Sequence, residues 1–145
     1  PAGRTMAPCT APAPEFHAAS TSIRSLDDLL IHLDAGFSET LLHLIDRSGQ
    51  KDSEIYKKAN VDRKLFSKIR NNPDYKPSKA TAIAFAIALE LSLDETKDML
   101  MKAGFALSHS SKADIVVEYC IMTGNYDIME INQILFGLDL QPLGY

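Results

Sequence analysis

Residues 51–72, KDSEIYKKANVDRKLFSKIRNN, contain two helical patterns separated by a short turn. In the first pattern Ile55 and Ala59 stand four residues apart, so they share one helix face and point toward a core. Asn60 follows at a position where the backbone needs a positive φ, and asparagine tolerates that conformation better than most residues with a side chain. Val61 is expected to bury the turn. The pattern therefore predicts two helices joined by a tight turn.

The second helix of this pair is predicted to have one buried face and one outward face. Asp62 is placed to cap its N-terminus, and Phe66 and Ile69 have the spacing that anchors a helix to the body of a domain. The opposite face is polar and basic, and it carries Arg63, Lys64, Ser67 and Lys68.

This segment resembles, without a gap, the helix-turn-helix of the Cro/lambda-repressor-like (XRE) family, whose pattern is roughly T-Q-E-E-L-A-K-K-L-G-V-S-R-S-T-I-S-R-I-E-N-G. The resemblance implies that the second helix enters the major groove of double-stranded DNA and contacts bases through Arg63, Lys64, Ser67 and Lys68. The neighbouring cations are suited to phosphate contacts, namely Lys57, Lys58, Arg70, Lys76 and Lys79. With FSETLLHLIDRSG before the segment and PSKATAIAFAIALELSLDETKDMLMKAGFAL after it, the resemblance covers residues 37–107.

A more specific resemblance extends over almost the whole chain. From Leu26 to Gly144, with VDRKLFSKIR at 61–70 and ALSHSSKADIVVEY at 106–119, the sequence is similar to a bacterial helical module that occurs alone or attached to macro domains. That similarity does not imply a function for the module.

Five residues depart from the helix-turn-helix pattern, of which Arg70 replaces a common Glu and Asn72 a common Gly. Tyr56 replaces an alanine that is pressed against the second helix, so its ring is expected to tilt out or to widen the interhelix packing. Leu65 is expected to place an apolar side chain on the recognition face. Lys51 stands where a Ser or Thr cap is usual, so the cap is predicted to be missing or shifted to Asp52. These departures leave the fold intact and bear on DNA binding.

The rest of the chain after residue 20 also predicts helices and no sheet. Four residue pairs have the spacing of a capping box: Ser25 and Asp28, Ser92 and Glu95, Ser111 and Asp114, Asp127 and Glu130. Glycines that end helices are expected at Gly36, Gly49, Gly104 and Gly124. The resulting prediction is an all-α, lambda-repressor-like bundle with helices over 25–35, 38–48, 51–58, 62–71, 78–90, 94–103, 111–123 and 127–137.

The predicted domain organisation is a tail followed by one helical domain. Residues 1–20 are rich in Ala and Pro and are predicted to be a disordered or vector-derived tail, and residues 21–145 to form the domain. Within it, SKATAIAFAIALE at 78–90 is apolar nearly all round and is predicted to be the central buried helix. Residues 108–145 are a C-terminal extension whose apolar end, LFGLDLQPLGY, is expected to dock on the body or on another chain.

Charge is distributed unevenly along the sequence. The net charge of −4 argues against a general nucleic-acid binder. Between Lys51 and Lys79, however, there are nine basic and four acidic residues, a net charge of +5. The remainder of the chain carries six basic and fifteen acidic residues. Such a basic patch on an acidic body binds phosphates locally, although a solvated helix face is the more ordinary interpretation of a charge cluster.

No residue pattern predicts catalysis, a metal site or a cofactor. The histidines and the two cysteines have no metal-ligand spacing, and Cys120 is predicted to be a core thiol. His109, Ser110 and Ser111 precede a helix and either hold an anion or form a loop with an N-cap, the latter being favoured. No apolar run approaches the ~20 residues that span a bilayer. The sequence thus predicts a non-enzymatic, cytoplasmic protein with no membrane partner.

Two functional hypotheses remain open at this point. The first is a sequence-specific DNA-binding transcriptional regulator that acts as a homodimer, since repressors of this type span two half-sites. The second is a protein-interaction or adaptor module whose helix-turn-helix no longer reads DNA and whose C-terminal helices bind a protein partner. The two are discriminated by whether Tyr56 and Leu65 are exposed together with Arg63 and Lys68 or bury against a partner.

Overall fold

A computed structural model of the chain describes residues 25–31 and 33–144. The predicted tail over residues 1–20 lies outside the described residues. The chain divides into two compact units, Pro1–Asp34 and Ala35–Tyr145. Within the described residues the protein is all-α, as predicted, with no β-strand.

Eight helices are present in the described part of the chain. The first unit holds α1, Leu26–Ile31. The second unit holds the other seven, which begin and end within two residues of the predicted bounds: α2, Phe37–Ser48; α3, Asp52–Lys58; α4, Arg63–Asn71; α5, Lys79–Ala88; α6, Leu93–Lys102; α7, Lys112–Met122; and α8, Ile128–Gly137.

The predicted end of the first helix at Gly36 is wrong. The described helix α1 ends at Ile31, and Gly36 instead precedes α2 as its N-cap with an extended backbone, φ −76° and ψ 179°. Leu29 and Leu30 of α1 are exposed, so this short helix has no buried residues that would stabilise a longer one. Phe37, by contrast, is buried at the start of α2.

The predicted cap residues occupy the helix N-termini, and Ser92 with Glu95 forms a complete capping box. Ser92 Oγ accepts from the Glu95 N–H at 3.2 Å, and Glu95 Oε1 accepts from the Ser92 N–H at 3.3 Å. The Ser92 backbone N–H, followed by the Arg47 guanidinium 2.9 Å away, lowers the pKa of Glu95. Ser111 accepts from the Asp114 N–H, but the Asp114 carboxylate bonds elsewhere.

Helix α5 is the central buried helix, as predicted. Every residue from Thr81 to Ala88 is buried, and four alanines, at 82, 84, 86 and 88, let neighbouring helices approach closely. Phe85 lies within a chain of aromatic rings, 6.4 Å from the Phe37 ring and 6.0 Å from the Phe66 ring. Ring contacts at these separations add to the stabilisation from burial alone.

The C-terminal extension closes this core. Helices α7 and α8 contribute Val117, Cys120, Ile131 and Leu135, all buried. Cys120 is buried, which confirms the predicted core thiol, and this burial raises the pKa of the thiol. The chain end docks on the body, with Leu143 buried.

One ion pair joins the start of α5 to the start of α7. Lys79 Nζ lies 2.6 Å from Asp114 Oδ2, and the same carboxylate oxygen accepts the Ser108 N–H at 2.8 Å. Only 4% of the Asp114 side chain and 32% of the Lys79 side chain are exposed. Because the carboxylate is buried, loss of its cation leaves a charge with poor solvation.

We therefore expect Lys79→Met to lower the free energy of unfolding by about 2–3 kcal/mol, because the buried Asp114 carboxylate loses its counter-charge. Urea denaturation followed by circular dichroism measures the change. Lys76→Met, at an exposed position of the connector, is the control and should shift the free energy by less than about 0.5 kcal/mol. Equal effects of the two variants would contradict the role given to this pair.

Candidate nucleic-acid interface

The turn between α3 and α4 has the conformation that the sequence predicts. Asn60 adopts the left-handed backbone, with φ 57°. The Val61 N–H donates to the Tyr56 carbonyl at 2.9 Å, which closes the C-terminus of α3, and Val61 is buried. Asp62 Oδ2 then accepts from the Lys64 N–H at 3.1 Å and caps α4. The direction of α4 is thus set within four residues.

Two buried side chains hold α4 against the body. Ile69 is fully buried and Phe66 nearly so, as predicted. The Phe66 ring lies between the rings of Phe85 on α5 and Tyr56 on α3, with centroid distances of 6.0 Å and 5.3 Å. This packing fixes which face of α4 points outward.

The structure places Tyr56 and Leu65 differently from the sequence-based expectation, because both side chains are partly buried against the core. Tyr56 is half-buried, and its ring is inclined by 37° to that of Phe66, so it remains packed beside α4 instead of tilting away from the core. Leu65 is also half-buried and packs against the core, so the prediction that it lies on the recognition face is wrong. Its position along α4 places it beside Phe66 and Ile69 rather than opposite them.

The outward face of α4 carries the four residues predicted to contact bases. Arg63, Lys64, Ser67 and Lys68 are all exposed. An open groove of about 550 Å³ follows one edge of this face and is lined by Gln50, Lys51, Asp52, Ser53, Tyr56, Arg63, Phe66, Ser67 and Arg70. A second, shallow groove of about 440 Å³ follows the other edge and is lined by Ser67, Lys68, Asn71, Asn72 and Tyr75. The face is therefore continuous from α3 to the connector after α4.

Asn71 and Tyr75 border this face and were missed from sequence. Asn71 stands four residues after Ser67, so helical spacing alone places both on one side of α4. No sequence signal marks Tyr75, because its position depends on the connector. That connector is held by Asn72, whose side chain accepts from the Asp74 N–H at 3.0 Å and whose carbonyl accepts from the Tyr75 N–H at 3.0 Å.

The structure distributes the five predicted phosphate contacts over several places. Arg70 lines the groove beside Arg63, and Lys76 is exposed in the connector. Lys57 and Lys58 instead line a different groove with Glu90 and Asp127, which are not on α4. Lys79 is engaged by Asp114. Arg63, Lys64, Ser67, Lys68 and Arg70 thus stand together on α4, and Lys76 lies in the connector that follows it.

The N-terminus of α3 borders the same groove without a side-chain cap. Lys51 is its N-cap residue, and the Lys51 N–H donates to the Glu54 carboxylate at 3.1 Å. The predicted alternative, a cap shifted to Asp52, is not adopted. The Asp52 carboxylate lies 2.6 Å from a guanidinium nitrogen of Arg70 on α4 instead.

The remaining polar clusters have local partners. In the described ranges, 25–31 and 33–144, no group of three or more His, Cys, Asp or Glu side chains is placed to hold a metal ion. His109 Nε2 lies 2.8 Å from the Glu118 carboxylate, and Ser111 caps α7, so the favoured loop-and-cap interpretation agrees with the contacts. No helix within these same ranges has the length and apolar character needed to cross a bilayer.

Comparison with known proteins gives no match: no protein-family model, no curated protein and no solved structure is similar to this chain. The resemblance to the Cro/lambda-repressor family therefore rests on residues 51–72 and on the surrounding helices.

The chain end packs on the turn that directs α4. Gly144 is buried with φ 93°, and a Cβ atom there would lie 2.6 Å from the Asn60 carbonyl oxygen and 2.7 Å from that of Ala59. Asn132 holds the adjacent backbone, because its side-chain carbonyl accepts the Leu143 N–H at 2.7 Å and its amide donates to the Leu143 carbonyl at 3.2 Å. Only glycine permits this approach.

We expect Gly144→Ala to lower the free energy of unfolding by about 1–3 kcal/mol, because the added methyl group clashes with the turn and the backbone there is left-handed. Urea denaturation measures the loss, and faster hydrogen exchange of the Leu143 amide reports the released chain end.

The matched control is Gly137→Ala. A Cβ at Gly137 meets nothing within 4 Å, and this glycine is the last residue of α8. That variant should leave stability unchanged or raise it slightly. A Gly144→Ala chain as stable as the Gly137→Ala chain would refute the docking of the chain end on the turn.

Proposed function

We propose that this chain is a sequence-specific DNA-binding transcriptional regulator of the cytoplasm, in which α3 and α4 act as a helix-turn-helix and α4 reads the major groove. The proposal rests on one observation, that α4 has one buried apolar face and one exposed basic face. Phe66 and Ile69 are buried, while Arg63, Lys64, Ser67 and Lys68 are exposed on the outer face. The protein is proposed to act by binding, without catalysis or a cofactor.

The side-chain chemistry of this face suits base recognition. Arg63 and Lys64 stand in the first turn of α4, the part of a recognition helix that reaches deepest into the groove, and both can donate to O6 and N7 of guanine. Ser67 and Lys68 follow one turn later, where Ser67 donates to or accepts from either base type. Asn71, one further turn along, has an amide suited to adenine.

Charge supports the same assignment. Lys51–Lys79 carries a net +5, and Lys51, Arg63 and Arg70 line the groove beside α4. Arg70 and Lys76 are proposed to contact phosphates, which position the protein without specifying sequence. The acidic remainder of the chain would keep DNA from binding elsewhere on the surface.

Tyr56 and Leu65 leave the outer face of α4 mainly polar. Both side chains are partly buried against the core, and Tyr56 also lines the groove beside Arg63. The outer face therefore keeps the polar character that base edges and phosphates require.

A second candidate function, a protein-interaction module, is favoured by a different surface. On α7 the side chains of Ile115, Tyr119 and Met122 are exposed at spacings of four and three residues, and on α8 Phe136 is exposed. Apolar residues in such a row mark a contact surface. In the DNA-binding proposal this row contacts a second copy, so that the homodimer spans two half-sites; in the alternative it contacts another protein.

DNA binding is tested by fluorescence anisotropy with a labelled random-sequence duplex at several salt concentrations. We expect Arg63→Ala/Lys68→Ala to weaken binding roughly 10-fold at low salt and to reduce the slope of log K against log salt by as much as about 1.8, because two cations are lost from the interface. Circular dichroism checks that helicity is retained.

The matched control is Lys97→Ala/Lys112→Ala, which removes two exposed lysines from α6 and α7 and should bind as the natural chain does. Equal weakening by both double variants would assign the binding to bulk charge. No binding by the natural chain at low salt would reject the DNA-binding proposal in favour of the interaction module.

The homodimer is tested by sedimentation velocity over a range of concentrations. We expect the natural chain to dimerise and Tyr119→Glu to remain monomeric, because a charge would be buried in an apolar contact. Tyr119→Phe keeps the ring and should still dimerise. A Tyr119→Glu chain that dimerises like the natural chain would place the dimer contact elsewhere.

A further inference from the structure

The groove beside α4 contains one acidic residue among its cations. Lys51, Arg63 and Arg70 line the groove, and Asp52 is the acid that lines it with them. The Asp52 carboxylate Oδ2 lies 2.6 Å from Arg70 NH1, so this acid is directed at a cation of the interface rather than at solvent. Glu95 pairs with Arg47 and Asp114 with Lys79, and none of these four residues lines the groove.

The Asp52–Arg70 pair is placed where it contributes little to stability. The Arg70 side chain is 54% exposed and the Asp52 side chain 38% exposed, and ion pairs at this exposure have a small net effect on folding. Ile69 and Phe66 already hold α4 in place by burial. The position of the pair in the groove therefore points to a role in binding and not in folding.

We propose that Asp52 is a specificity-determining residue that holds the Arg70 guanidinium in an intramolecular ion pair and so lowers affinity for DNA of arbitrary sequence. This inference rests on the proposed function. In the free protein Arg70 NH1 donates to the Asp52 carboxylate, so a DNA phosphate competes with Asp52 for the charge of this guanidinium and for the position of its donors.

The Asp52–Arg70 pair would therefore lower the contribution of sequence-independent phosphate contacts to the affinity for DNA. Phosphate contacts supply essentially all of non-specific binding, so withholding one cation weakens binding to any duplex. Base contacts from Arg63, Lys64, Ser67 and Lys68 do not involve this pair, because those side chains occupy the exposed face of α4 and none of them contacts Asp52 among the hydrogen bonds and ion pairs described. Asp52 would thereby increase the share of affinity that depends on sequence.

The test compares Asp52→Asn with the natural chain on a random-sequence duplex, again by anisotropy at several salt concentrations. We expect Asp52→Asn to bind roughly 5-fold more tightly at low salt and to steepen the slope of log K against log salt by about 0.9, the value of one added phosphate contact. Asparagine keeps the size of the side chain, and circular dichroism verifies that α3 is intact.

Two further variants separate capture of Arg70 from a general effect of charge. Asp94→Asn removes an exposed acid from the first turn of α6, outside the groove, and should leave affinity within about 2-fold of the natural value. Arg70→Ala and Asp52→Asn/Arg70→Ala should bind equally, since without Arg70 there is no cation to release.

The outcomes distinguish this inference from the proposed function. If the natural chain binds DNA through Arg63 and Lys68 but Asp52→Asn binds no more tightly than Asp94→Asn, the role of Asp52 is rejected and the function stands. A gain from Asp52→Asn that persists without Arg70 rejects capture of the guanidinium. If neither the natural chain nor Asp52→Asn binds the duplex at low salt, both proposals fail.

Discussion

The complete burial of α5 is the constraint on which the rest of the second unit depends. A helix with all residues from Thr81 to Ala88 buried has no face for solvent, so α3, α6 and α8 must all pack against it. Its alanines allow the close approach, and Phe85 carries the contact outward through Phe66 to Tyr56. The position of α4 is consequently fixed by buried contacts in the core and not by residues on the surface.

The proposed DNA-binding face follows from that anchoring together with one turn. Asn60 in the left-handed conformation and Asp62 as a cap set the direction in which α4 leaves α3, and Phe66 sets its rotation. The chain end then packs Gly144 against the carbonyls of this turn. A segment more than eighty residues away in sequence therefore supports the turn, which explains why the C-terminal extension belongs to the same unit.

Ion pairing decides which cations of the basic segment are available to a ligand. Net charge from sequence treats Lys79, Arg70 and Lys76 alike, yet Lys79 is held by a buried carboxylate, Arg70 by a half-exposed one, and Lys76 has an exposed position. Lys57 and Lys58 have the right charge but border a groove that also contains Glu90 and Asp127. A count of charges thus does not show which cations are paired, because Asp52 and Asp114 lie 18 and 35 residues along the chain from Arg70 and Lys79.

Local rules within the sequence determined the helices of the second unit, their caps, the turn at Asn60 and the buried and outward faces of α4, because each depends on residues within about one helical turn. The same rules failed at Gly36, which begins α2 instead of ending α1, and at Leu65, whose burial depends on the core beside α4. Only the tertiary structure decided that Tyr56 packs on Phe66, that Asp52 pairs with Arg70, and that Gly144 meets the turn. Those contacts join residues 10 or more positions apart, and their partners are selected by packing around α5, which no local pattern records.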